Sequence, residues 1–339
     1  MASPAEQPPP DRNSDEQPIS APGADEASSD SPPPRPGSLG ALWSQVGGLV
    51  RTVRPHQWVK NVFVLAPVFF AKNLFELDLF RRAIGAFGVF CALAGAVYTI
   101  NDIVDAEADR HHPVKRHRPI ASGKISAREA KGLALVLMLV GLGGAAYGPT
   151  GFLVVAWTYF LMNLAYSFKL KQYAYLDVGI IAAGFVLRVV GGGYGTHVHA
   201  SAYLLVCTAL LALFLGFGKR RHELAAAAAR ARTQRAALSG YSARGLDWAL
   251  GITGCATVAT YLAYTLDPVT REFFGSDKLW LTTVFVVLAV LRFLFLVRSR
   301  PHAESPTQEM LRDGPFVAAV LVWVMVVIWI VYNLRPSGT

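Results

Sequence analysis

Nine stretches of the chain are apolar over close to the length a helix needs to cross a bilayer: near 57–71, 83–101, 129–147, 151–168, 175–192, 202–218, 246–266, 279–297 and 316–334. About 20 residues at 1.5 Å each cover the roughly 30 Å hydrocarbon core. Lipid offers no partner to backbone N–H and C=O groups, so a chain patterned in this way folds as helices that satisfy their own backbones. The predicted fold is therefore all-α, a polytopic membrane protein with nine transmembrane helices. Composition agrees, since 53% of the 339 residues are hydrophobic and only 16% charged, far from the balance of a soluble protein of this size. The first stretch is short and carries Lys60 and Asn61, which fits a tilted, half-buried or interfacial course.

The formal net charge of +9 raises nucleic acid as a partner, but the bases sit in short loops between apolar stretches, where they fix orientation in a membrane. No nucleic-acid partner is predicted; the expected surroundings are membrane lipids. Alternate loops differ sharply: those after the second, fourth, sixth and eighth stretches hold eighteen Lys and Arg, and the opposite loops with the C-terminal tail hold six. This asymmetry predicts a multi-pass protein of the plasma membrane with the N-terminus and basic loops in the cytosol. Residues 1–39, rich in Pro, Ser, Ala, Asp and Glu with almost no large apolar residue, read as a disordered tail and not as a cleaved signal. Residues 40–339 form the transmembrane domain. Cys91, Cys207 and Cys255 each stand alone in an apolar stretch and read as packing residues.

The most informative stretch is NDIVDAEADRHHPVKRHRPIASG, residues 101–123. At about 100° per helical residue, Asn101, Asp105, Asp109 and Asp102 fall at roughly 0°, 40°, 80° and 100°, within one quadrant. Three like charges this close repel, and two kinds of cation answer them. One is a salt-bridged helix end with Arg110, Lys115 and Arg116; the other is Mg2+, a hard ion that takes carboxylate oxygens, keeps waters and shares itself with substrate phosphates.

The signature Asn-Asp-x-x-Asp-x-x-x-Asp at the end of the second apolar stretch resembles the UbiA-type intramembrane prenyltransferase superfamily. Within it, RPHQWVKN at 54–61, HPVKRHRPIASG at 112–123, YSFKLK at 166–171, LDVGIIAAGFVLRVVGG at 176–192 and GFGKRRHEL at 216–224 are similar to the branch of decaprenyl-phosphate phosphoribosyltransferases of cell-wall arabinan synthesis. The resemblance spans about residues 54–335. It implies a UbiA-like bundle with a cavity on the cytosolic side, an Mg2+ site on Asn101, Asp102, Asp105 and Asp109, and phosphoribosyl pyrophosphate (PRPP) and a polyprenyl phosphate as substrates. Typical superfamily members carry a second acidic motif after the sixth helix. Here that loop reads GKRRHELAAAAARARTQRAAL, with Glu223 its one acid, a basic wall suited to a phosphate that no metal covers.

Further candidates gather round this site. Asp177 and Arg188, eleven residues apart, project to one helix face, and ionisable groups at membrane depth point to function, although Arg188 also serves as a neutralising partner on a helix of small residues. Tyr166 and Lys169 match the superfamily's pyrophosphate site by resemblance; without it, Lys169 and Lys171 read as membrane-edge anchors. Arg54, Gln57 and Lys60 recur every third residue, and an anionic lipid headgroup accounts for a lysine as deep as Lys60. Lys115, Arg118, Lys219 and Arg220 are candidate phosphate clamps. GGGYG at 191–195 lacks a preceding strand, and GFGKR at 216–220 lacks the flanking residues of a P-loop. A prenyltransferase with an aromatic acceptor and a transporter remain as rivals, the latter disfavoured because the acids bunch at one face of the membrane and not at its midplane. The oligomeric state stays open, a homo-oligomer included.

Overall fold

The computed structural model describes residues 39–71, 76–230, 236–299, 309–310 and 312–333. The expected disordered tail lies outside the described residues except for Leu39, as do the loop tips near 75 and 305. Trp43–Thr339 form one compact unit, which holds every side-chain contact and site described below. In chain order come α1 (Leu39–Val53), a 3-10 helix (Pro55–Leu65), α2 (Ala66–Phe70), α3 (Leu77–Val104), α4 (Ala106–Arg110), α5 (Ala127–Ala146), α6 (Thr150–Phe168), α7 (Leu176–Thr196), α8 (Ala202–Arg230), α9 (Ala243–Leu266), α10 (Pro268–Phe274), α11 (Thr283–Ser299) and α12 (Gly314–Asn333). No strand occurs among the described residues.

Among the described residues, seven helices are long and apolar enough to cross a membrane: α3, α5, α6, α7, α8, α9 and the stretch ending in α11. The last apolar stretch forms the shorter apolar helix α12. The first differs from expectation. Arg54 takes the left-handed conformation, φ 56°, and Pro55 follows; proline disfavours the α conformation in its predecessor, so α1 stops there and the chain re-enters as a tighter 3-10 turn. Side chains three apart eclipse in that helix, which stacks Gln57 and Lys60 on one line. The segment lies so close to α7 that a Cβ on Gly192 would sit 1.9 Å from the Val64 carbonyl oxygen; glycine alone admits this approach.

Local sequence starts and stops the helices. Ser126 and Glu129 form a reciprocal capping box at α5, satisfying two otherwise orphaned N–H groups. At α10, Asp267 caps, Pro268 opens the first turn and Gly275, φ 65°, closes the helix.

α3 sits at the centre, packed on α5, α6, α7 and the 3-10 helix. Phe90, Leu93 and Val97 meet Leu142, Phe152 and Phe160 in one core. A second core joins Val178 of α7 and Phe214 of α8 to Leu246 and Phe293. Outer faces expose large apolar side chains in helical register, such as Leu135, Val136, Leu139 and Val140 on α5, the surface that lipid tails cover without cost. At 28 residues α3 is about 42 Å long, longer than the apolar slab, and its polar end carries Asn101 and Asp102 towards the basic loops.

Candidate active site

The helix labels change at Asp105, between α3 and α4, but the α-type backbone bonds continue, from Asp105 N–H to the Asn101 carbonyl at 2.9 Å and from Asp109 N–H to the Asp105 carbonyl at 2.8 Å. Asn101 pairs with Asp105, and Asp102 with Asp109, as helical spacing expects. Asp102 and Asp109, both buried, converge on one guanidinium, with Arg118 Nη1 donating to Asp102 Oδ1 at 3.1 Å and to Asp109 Oδ2 at 2.6 Å. Arg54 Nη2 donates to the same Asp102 oxygen at 2.5 Å and lies over the Tyr98 ring. Asp105 accepts from Lys171 Nζ at 2.7 Å and from Asn101 Nδ2, one turn back, at 3.1 Å. Lys115 stands 3.9 Å from Asp109.

A second cluster joins the first turn of α7 to α8. Asp177 is wholly buried and Arg220 is 2% exposed. Their closest atoms lie 2.7 Å apart, a charge contact without hydrogen-bond alignment, because neither Asp177 Oδ2 nor Arg220 Nε has an aligned partner. Arg220 also pairs with Glu223 one turn along. Tyr241, in the loop before α9, donates to Asp177 Oδ1 at 2.5 Å and accepts from Tyr175 N–H at 2.7 Å. Tyr175 has φ 65°, a backbone state rare for a residue with a side chain. Burial first, then the bond to Asp177, push the Tyr241 hydroxyl above its ordinary pKa, so it stays a proton donor.

Deeper in the bundle, Arg188 is 6% exposed. It donates through Nε to Asn61 Oδ1 at 2.7 Å, through Nη2 to Tyr159 Oη at 2.7 Å and through Nη1 to the Gly184 carbonyl at 2.9 Å. Asn61 in turn donates to Cys91 Sγ at 3.2 Å. Arg188 and Asp177, expected on one helix face, thus have separate partners. Lys60 is exposed, and the positive charges of Lys219, Arg188 and Arg54 act on it. Lys219 itself stands 3.9 Å from Glu223. Tyr166 lies within electrostatic reach of Arg220, while the side chains of Lys169 and Gln57 make no hydrogen bond among the described residues.

The structure therefore unites Asp102, Asp109, Arg118 and Lys115 in one group, and Asp177 with Arg220 in another. Sequence reasoning gave no site role to Asn61, Tyr159 or Tyr241, and it read Lys171 as an anchor. Tyr241 is 64 residues from its carboxylate partner, a separation that leaves no local signal. Lys171, by contrast, lies in the YSFKLK motif beside two predicted site residues.

No group of three or more acidic, His or Cys side chains poised as metal ligands occurs among the described residues. Mg2+ is held through one or two carboxylates plus substrate phosphates and waters. Asp102 and Asp109, which share a cation between their oxygens, have the chemistry and convergence for that role.

Residues 62–309 match the UbiA prenyltransferase family. The chain is 33% identical over 288 residues to decaprenyl-phosphate phosphoribosyltransferase of Mycobacterium tuberculosis, covering 83% of this chain and 93% of that one. It is 30% identical to the protein of the same name from Corynebacterium glutamicum, covering 84% and 87%. Among solved structures, a UbiA homolog from Archaeoglobus fulgidus bound to DMAPP and Mg2+ superposes with a TM-score of 0.59 at 18% identity, over 85% of this chain and all of that one. A structure concerning digeranylgeranylglyceryl phosphate synthase gives 0.61 at 19%, over 83% and 99%. With the family matched across most of its length and the fold shared, this chain belongs to the UbiA prenyltransferase family, as an integral multi-pass membrane transferase.

Proposed function

We propose that the protein transfers 5-phosphoribose from PRPP to a polyprenyl phosphate of the decaprenyl type, releasing pyrophosphate, as a pentosyltransferase supplying precursors for cell-wall arabinan (arabinogalactan) synthesis. The observation that carries this reading is the charge balance of the pocket. Asp102, Asp105 and Asp109 are outnumbered by the four cations that pair with them, Arg54, Lys115, Arg118 and Lys171. A donor with a diphosphate at one end and a further phosphate at the other fits a site that offers carboxylates within an excess of cations. The phosphoribosyltransferase names of the relatives support the same substrates.

Asp102 and Asp109, with Asn101 and Asp105 beside them, would hold Mg2+, which when bound neutralises charge on a departing pyrophosphate. Arg118 and Lys115 would orient that leaving group. Lys169 and Lys219, with Tyr166 and Gln57, would meet the ribose phosphate. Arg220, enclosed between Asp177 and Glu223, keeps the wall in place. The acceptor phosphate is already an anion at neutral pH, so no side chain need remove a proton. In-line displacement inverts the anomeric carbon. The basic loops orient the site and the N-terminus to the cytosolic side of the plasma membrane.

Purified protein given Mg2+, labelled PRPP and polyprenyl phosphate should move label into the organic-soluble lipid fraction, and chelator should stop it. Label that stays in water while a prenyl diphosphate is consumed against an aromatic acceptor refutes the assignment.

A further inference from the structure

The deep polar group around Arg188 has partners separate from those of the Asp102 and Asp177 clusters, and its charge is unbalanced. A guanidinium keeps its charge wherever it is placed, and a cation at membrane depth is costly unless something anionic meets it. Yet among the described residues each hydrogen-bond partner of Arg188 is neutral: the Asn61 amide, the Tyr159 hydroxyl and the Gly184 carbonyl, with the Tyr159 and Phe185 rings against its faces at 4.8 and 5.3 Å. Lys60, next to Asn61 in the chain, adds a second positive charge with no carboxylate partner among the described residues.

We infer that Arg188 and Lys60 receive the phosphate of the lipid acceptor, and that Asn61 is a positioning residue whose neutral amide fixes the guanidinium without cancelling its charge. This rests on the phosphoribosyl reading above and divides that site into two anion subsites.

Two observations select a lipid phosphate over the donor. The first is depth. Gly184, which accepts from the Arg188 tip, is seven residues along α7 from Asp177, about 10 Å further from the basic-loop face. Displacement in line needs the incoming phosphate on the side of the ribose away from the pyrophosphate, and a phosphate held at this greater depth would approach from there. The second is what adjoins it. Phe185, packed on Arg188, meets Phe63 edge to face at 5.0 Å. Phe63 opens onto an apolar cavity of about 460 Å³ that is also lined by Leu204, Phe214, Phe285 and Trp323. An anion at Arg188 with an apolar tail in that cavity satisfies both surfaces at once.

The charge argument gives an isosteric test. Asn61→Asp keeps the shape and the bond to Arg188 but makes a buried ion pair there. Binding of farnesyl phosphate and of farnesol to purified protein should be compared for wild type, Asn61→Asp and Lys60→Met. Wild type should prefer the phosphate by about ten-fold or more, and each variant should lose about ten-fold of phosphate affinity. Farnesol affinity and unfolding temperature should stay unchanged. Inorganic phosphate and PRPP in millimolar excess should not displace farnesyl phosphate. Lys60 is exposed, so Lys60→Met decides the matter even if Asn61→Asp does not fold. Equal binding of phosphate and alcohol, unchanged variants, or displacement by PRPP overturns the inference. Phosphate-selective binding without label transfer from PRPP supports this subsite while refuting the phosphoribosyl reading.

Discussion

Removing one oxygen from Tyr241 tests the architecture of the site wall. Tyr241→Phe deletes the bond donated to the buried Asp177 carboxylate and the one accepted from Tyr175 N–H. A hydrogen bond to a charged group contributes about 1.5–3 kcal/mol and one between neutral groups about 1 kcal/mol, so the loss should be about 2.5–4 kcal/mol. The upper part of that range applies, because Asp177 is fully enclosed and its remaining support comes from Arg220 and the Val178 N–H. Tyr175 adds to the effect, since its positive φ is held by the bond from its N–H to Tyr241, and such strain of order 1–3 kcal/mol persists only where surroundings enforce it. The pH dependence has a defined sign. The folded state raises the Tyr241 pKa, so its contribution is complete below the unfolded value of about 10 and declines as pH rises beyond it. Unfolding of wild type and Tyr241→Phe in detergent, at pH 7.5 and again above pH 10, measures both effects. A loss under about 0.5 kcal/mol at pH 7.5, or a gap between the two proteins that widens above pH 10, would refute the reasoning.

Asp102→Asn or Asp105→Asn should cut turnover by about 100-fold or more while the protein stays folded, because each removes negative charge from a crowded cluster; retained activity in a direct transfer assay would argue against a metal there. Gly192→Ala should destabilise by about 1–3 kcal/mol or more, since its methyl would meet the Val64 carbonyl oxygen, and thermal unfolding reads this directly. Lys115→Cys and Tyr147→Cys should label from opposite sides of the membrane in intact cells, the first only after permeabilisation. Labelling from the same side would defeat the proposed orientation.

How much of this was legible in sequence depended on the range of the cause. Apolar runs act through neighbours in the chain, so the helices could be read locally. The acidic motif and its basic surroundings were also visible as composition, and the roughly 100° spacing already grouped Asn101 with Asp105 and Asp102 with Asp109. The lysine that pairs with Asp105, Lys171, lies 66 residues away, beyond the reach of local pattern. The same range limit hid Tyr241 and Asn61. Nothing near Tyr241 names Asp177, and nothing near Asn61 names Arg188, 127 residues on. An isolated polar residue in an apolar run carries no pointer to its partner. The sequence by itself determined that the chain must be a helical membrane bundle with an acid-and-base-rich end. The tertiary structure alone decided which charges neutralise one another and which are left to meet a ligand, because electrostatic compensation depends on distance through space and not on separation along the chain.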